Sequence, residues 1–125
     1  MKILLLTGLA GLAGTLLRYA CIRLISSLGA EFPWGTLSVN IIGAFIAGFC
    51  FILCQHKFQA YEAYFPILFI GFLGAFTTFS TFALESVKFF IAEQYGKFIC
   101  NILLQNLTGI LAAISGVYSA KIFFK

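Results

Sequence analysis

The sequence predicts an all-α integral membrane protein, a single domain over residues 1–125 built from four transmembrane helices per subunit. Three observations lead there. Hydrophobic residues make up 62% of the 125 and charged residues only 10%, whereas soluble domains carry about 25% charge. So few charges cannot cover a water-facing surface. The apolar residues also run in four stretches, and a spanning helix needs roughly 20 mostly apolar residues. Finally, the connections between the stretches are short, which leaves no second domain. A bundle this thin has little room for a solvated pathway between its own helices, so at least a homodimer is expected.

The first helix runs from about Ile3 to Ile25. Gly8, Gly11 and Gly14 recur every third residue and form a small-residue face that lets another backbone approach closely. Lys2 and the apolar run behind it imitate a signal peptide. A single Lys makes a thin charged region, however, and the run continues past Arg18, so the segment reads as a first span. A turn follows from Ser26 to Pro33, and Pro33 suits a helix start.

The second helix runs from about Gly35 to Cys54. Gly43 with Ala47, and Ala44 with Gly48, are two small-xxx-small pairs on one side. A polar loop, Gln55 to Glu62, comes next. The third helix starts near Tyr64 or Phe65 and reaches Ile91, too long and too interrupted for one plain span. Gly71 and Gly74 precede Thr77, Thr78, Ser80 and Thr81, so a break mid-membrane is expected. Broken helices are tolerated at membrane depth only where they are buried in protein or line a cavity. There they offer carbonyls to cations and helix N-termini to anions. Hydroxyls in such helices also simply bond their own backbone. The fourth helix runs from about Phe98 to Phe123.

Lys and Arg divide evenly between the two sides of this topology: Lys2, Lys57, Lys121 and Lys125 against Arg18, Arg23, Lys88 and Lys97. Orientation follows a Lys/Arg excess on one side, and here there is none. The chain is expected to insert both ways, giving an antiparallel homodimer. The basic residues are scattered over helix ends without an aromatic-interleaved patch, so nucleic acid is not indicated. Cys21, Cys50, Cys54 and Cys100 lie in or beside apolar runs and read as packing thiols, with no disulfide or metal framework. His56, the single histidine, has no nucleophile beside it, and an enzyme is not expected.

Several polar groups fall at membrane depth. Phe76, Phe79 and Phe82 share three-residue spacing and form one stripe. The stripe is either packing or a set of ring edges, whose partial positive charge faces an anion stripped of water. Asn40 shares a face with Thr36, Gly43, Ala44 and Ala47, and its amide offers either a donor to an anion or a bond between helices. Arg18 is a functional candidate by position or a snorkelling interfacial cation. Glu85 follows Thr78 and Thr81 at helical spacing. It lines the same path or pairs with a cation. Asn101, Gln105 and Thr108 share a face of the fourth helix, as a polar track or a hydrogen-bonded seam.

The stretches GLAGTLLRY (11–19), PWGTLSVNIIG (33–43) and GFLGAFTTFSTF (71–82) with Glu85 resemble the Fluc/CrcB family of fluoride channels. The likeness covers essentially the whole chain. The resemblance implies an antiparallel, dual-topology homodimer with two pores in the bacterial inner (plasma) membrane. Phe79 and Phe82 match the phenylalanines whose ring edges contact fluoride, and Asn40 matches the pore asparagine. Ser80 and Thr81 match the neighbouring hydroxyl positions. Arg18 matches a vestibule arginine, and Glu85 a nearby glutamate. Gly74 and Thr77 match positions whose backbone carbonyls, from both subunits, hold a structural Na⁺ at the dimer centre. The fourth helix departs from the family, which usually carries Tyr and Ser where Asn101 and Gln105 stand. The implied role is passive: hydrogen fluoride enters as a neutral weak acid, ionises inside, and leaves through an anion-selective leak. The competing class, a small proton-coupled multidrug transporter, needs a carboxylate inside the first helix, and none lies between Met1 and Ser27.

Overall fold

The computed structural model describes residues 1–27, 31–57 and 64–124, and these are all-helical. In order come α1 (Lys2–Ser26), α2 (Trp34–Lys57), a π-helical segment (Ile67–Leu73), the single turn α3 (Gly74–Phe76), α4 (Phe79–Ile91) and α5 (Tyr95–Phe123). Lys2–Ser26, Trp34–Gln55, Ile67–Ile91 and Tyr95–Phe123 are each long and apolar enough to cross a bilayer. The chain is a multi-pass membrane protein.

Two boundaries differ from the sequence reading. Gln55, His56 and Lys57 continue α2 instead of opening a loop, because a helical ladder does not require apolar side chains once it clears the hydrocarbon. The rest of the expected loop, like residues 28–30 of the preceding turn, lies outside the described residues. The last helix starts at Tyr95, not Phe98, because α4 stops abruptly. Glu93 takes a left-handed φ of 58°. Gln94 N–H donates to the Phe89 carbonyl (2.9 Å) and Glu93 N–H to that of Phe90 (3.1 Å). These two bonds form a Schellman motif, here with Glu where Gly is usual. Phe98 N–H donating to Gln94 O at 3.0 Å then opens the next ladder.

Packing is organised by close backbone approach. α2 lies along α5, and α1 along the π-helical segment and α3. A Cβ added at Gly48 would overlap the Ala113 carbonyl oxygen, and one at Gly116 the Phe45 carbonyl oxygen. The α2–α5 contact therefore needs hydrogen at both positions. The two small-residue pairs of α2 do not face one neighbour. Gly43 lies against Thr77 and Phe76, whereas Gly48 lies against α5. The glycine face of α1 is likewise only partly used: Gly14 meets the Phe72 carbonyl, and among the described residues nothing lies within 4 Å of a Cβ built at Gly8.

The interior is small. Leu37, Val39, Leu73, Phe76 and Ala120 are buried, while Leu4, Leu12, Ile110, Tyr118 and Ile122 of α1 and α5 face outward. The accessible surface is 8193 Å², about a quarter above the roughly 6,600 Å² of a compact soluble monomer of this mass. Many large apolar side chains are exposed on it, as lipid or another subunit requires.

Candidate functional site

The site is built around two residues. After α3 the backbone turns extended at Thr77 (φ −86°, ψ 158°) and Thr78 (φ −150°, ψ 116°), and α4 starts at Phe79. Extended residues cannot continue the i to i−4 ladder, so their peptide groups need other partners. Thr77 N–H still reaches Leu73 O at 2.9 Å, and its hydroxyl donates to the same carbonyl at 2.9 Å. Thr78 caps α4, its Oγ1 accepting from Thr81 N–H at 3.2 Å.

Side chains from two other helices serve the remaining groups. Asn40 of α2 accepts from Thr78 N–H at 2.8 Å and donates back to the Thr78 carbonyl at 3.1 Å. It also donates to Gln105 Oε1 of α5 at 2.9 Å. Arg18 of α1 donates from Nη1 to the Thr77 carbonyl at 3.3 Å. Two candidate seams thus meet at one connection: the asparagine of the second span and the glutamine of the fourth.

An open cavity of about 410 Å³ lies beside it. Of the expected site residues, Asn40, Gly74, Thr77, Phe79, Phe82 and Gln105 line it, and no described lining residue is charged. Arg18, Ser80, Thr81, Glu85, Asn101 and Thr108 do not line it. Thr81 and Ser80 hydroxyls lie 3.0 Å and 3.3 Å from that of Thr78. Glu85 Oε1 accepts from Thr36 Oγ1 at 2.7 Å, so its partner is a hydroxyl of α2 and not a cation. Its Oε2 is buried without a partner among the described residues.

The aromatic stripe is not continuous. Phe76 belongs to α3, is buried and stacks on Phe72 at 5.9 Å. The extended pair separates it from Phe79 and Phe82 on α4. These two rings meet edge to face, with centroids 5.4 Å apart and planes at 69°. Phe82 is 7% exposed and Phe79 76%, so one ring is set in the subunit and the other stands out from it.

The polar face of α5 also divides. Gln105 serves Asn40, whereas Asn101 donates to Ser86 Oγ of α4 at 3.0 Å. Thr108 bonds its own helix at Leu104 O, 2.6 Å. Ser86 was not singled out from sequence. The available signal was its place next to Glu85, among otherwise apolar residues of a span. Thr36, too, carried no role until its bond to Glu85 appeared.

Comparison with known proteins agrees with this architecture. Residues 5–117 match the family described as CrcB-like protein, Camphor Resistance (CrcB). A fluoride-specific ion channel FluC of Magnetococcus marinus is 39% identical over 116 residues, covering 92% of this chain and 94% of its own. A second, from Legionella pneumophila strain Lens, is 42% identical over 118 residues, covering 94% and 88%. A third, from Hydrogenovibrio crunogenus, is 38% identical over 122 residues, covering 97% and 92%. With a family match over residues 5–117 and relatives aligned over more than nine-tenths of its length, this chain belongs to the CrcB family.

Proposed function

We propose that the protein is a fluoride-selective anion channel that lets cytoplasmic fluoride leave passively down its electrochemical gradient. The observation that carries this reading is the cavity: phenylalanines, side-chain amides and threonines line it, and no charged side chain of the described residues does. A fluoride ion gives up its water only if other donors replace it. A fixed Lys or Arg would do so but would hold the ion tightly. Conduction needs binding favourable enough to enter and weak enough to leave. Ring edges and neutral donors meet both demands, and the N-terminal end of α4 adds a partial positive charge beside them.

The working unit in this reading is an antiparallel, dual-topology homodimer with two pores in the bacterial inner membrane. The excess apolar surface, the even Lys/Arg distribution and the outstanding Phe79 ring support it. In each pore Phe79 and Phe82 face fluoride, with the two rings coming from different subunits. Asn40 supplies the polar wall, Ser80 and Thr81 stand behind it against the Thr78 hydroxyl, and Arg18 and Glu85 act toward the vestibule. The interruption at Thr77–Thr78 lies near the bilayer midplane. The multidrug-transporter alternative has no support in the named relatives.

A structural Na⁺ at the dimer centre is part of the proposal, held by the carbonyls of Gly74 and Thr77 from both subunits. The carbonyls present fit it. Thr78 N–H would serve the Gly74 carbonyl in an unbroken helix, but it donates to Asn40 Oδ1 instead. The Thr77 carbonyl accepts from Arg18 and keeps a second lone pair. When bound, the ion would supply positive charge opposite the Gly74 and Thr77 carbonyls.

Ion efflux from liposomes holding the purified protein tests the function, with fluoride compared against chloride. Fluoride is expected to leave rapidly and chloride to stay. Phe79→Ile and Phe82→Ile are expected to cut fluoride flux while the dimer persists on size-exclusion chromatography. Equal fluoride and chloride flux, or no flux, would overturn the assignment.

A further inference from the structure

The cavity beside Thr77–Thr78 has two unlike ends, and the directions of the helices separate them. α2 and α5 run parallel, since Asn40 bonds Gln105 and, further along both, Gly48 meets Ala113. The chain leading into Thr77 runs the other way. Asn40 bonds Thr78, while Gly43, further along α2, lies against Thr77 and Phe76. The step from Asn40 to Ala47 is about 10 Å along α2. It runs beside the step from Gln105 to Gly109 on α5, and beside the step from Thr78 back toward Phe69. All six of these residues line the cavity.

The polar lining is gathered at the first end, in Asn40, Thr77, Thr78, Gln105 and Asn106. Toward the second end the described lining residues are Ala44, Ala47, Leu73 and Gly109, with Phe69. None of these carries a side-chain hydrogen-bond donor. An anion that has shed its water finds one replacement among those side chains, a ring whose edge carries partial positive charge.

Local backbone structure brings that ring to the cavity. Ile67–Leu73 is π-helical, and Gly74 N–H donates to the Phe69 carbonyl five residues back. Bonding at that interval draws residues five apart toward one side. In an α-helix they would stand about 140° apart around the axis. Phe69, Leu73 and Gly74 accordingly line the cavity together. Phe65 meets Phe69 edge to face, with centroids 6.3 Å apart and planes at 75°, but it does not line the cavity.

We propose that Phe69 is a further aromatic contact on the anion's path, serving the apolar end of the cavity where no donor side chain stands. The ligand class is a small, strongly hydrated anion such as fluoride. This rests on the channel reading above, and the test keeps the two apart.

The flux test measures fluoride efflux from liposomes with cyclohexylalanine or pentafluorophenylalanine in place of Phe69. The first keeps the bulk and lacks the ring quadrupole; the second keeps the ring and reverses it. Both are expected to slow efflux about three- to tenfold, the scale of one ring-quadrupole contact. Cyclohexylalanine in place of Phe65 is expected to leave the rate at the wild-type level. A wild-type rate in either Phe69 variant, or an equal loss at Phe65, would overturn the role of Phe69 and leave the channel assignment standing. A second measurement needs no variant. In wild-type protein with ¹³C-labelled phenylalanine, sodium fluoride in place of sodium chloride is expected to move the Phe69 ring signals and leave those of Phe65 in place. Unmoved Phe69 signals would overturn the proposal. A wild-type protein that passes no fluoride would instead remove the channel reading itself.

Discussion

The sharpest structural prediction concerns Asn40→Ala. Three hydrogen bonds of 2.8, 3.1 and 2.9 Å leave with the side chain. Bonds between membrane helices average about 0.6 kcal/mol each by double-mutant cycle, because the unfolded chain also finds partners in the bilayer. On that scale the loss is about 2 kcal/mol. Thr78, however, is only 7% exposed, and its extended backbone has no helical neighbour to turn to. An orphaned buried donor or acceptor costs about 1–3 kcal/mol, and Asn40→Ala orphans two such backbone groups, which sets an upper bound of about 6 kcal/mol. A loss of about 2–4 kcal/mol is expected. Denaturant titration in mixed micelles, followed by circular dichroism, measures it. Thr108→Val is the control, since its hydroxyl bonds only a carbonyl of its own helix, and it should change stability by less than about 0.5 kcal/mol. If Asn40→Ala matched that control, the Thr77–Thr78 connection would be held by something other than the asparagine.

Other outcomes follow from local geometry. Gly48→Ala or Gly116→Ala should destabilise by about 1–3 kcal/mol or more, since the added methyl meets backbone that cannot step aside. Gly8→Ala, with none of the described residues near its Cβ position, should be neutral or stabilising in the same titration. Glu93→Gly should stabilise by about 0.5–1 kcal/mol, the left-handed penalty of about 1–2 kcal/mol exceeding glycine's entropy cost of about 0.5–1 kcal/mol; a loss of stability would exclude strain at that turn. Glu31, outside the spans, accepts a hydrogen bond from Lys97 and feels its charge, which hold its carboxyl below the usual value. The pair's contribution is then present above the unfolded pKa and disappears as pH falls through the lower folded one. A carboxyl titration by ¹³C NMR should show the Glu31 midpoint rise in Lys97→Gln.

The class of fold was legible because hydropathy is a sum along the chain, and each span carries its own signal. Helix ends were legible only where a polar residue coincided with one. At Gln55 it did not, since α2 runs on to Lys57, and at Tyr95 the Schellman stop on α4 was invisible in a left-handed Glu. Site residues were legible as types. The sequence singled out Asn40, Gln105, Phe79 and Phe82, and the fold brings all four to one cavity.

Taken alone, the order of residues determined that this chain lives in a membrane, that it crosses four times, and which side chains are too polar to sit there idly. Those properties depend on near neighbours in the chain and on transfer from water to hydrocarbon. Only the tertiary structure decided who answers whom: Thr36 for Glu85, Ser86 for Asn101, the Thr77 carbonyl for Arg18, and Thr78 for Asn40. A hydrogen bond depends on distance and direction to within a few tenths of an ångström. Partners 15 to 59 residues apart acquire that geometry only when glycine-mediated helix contacts set the backbones in place.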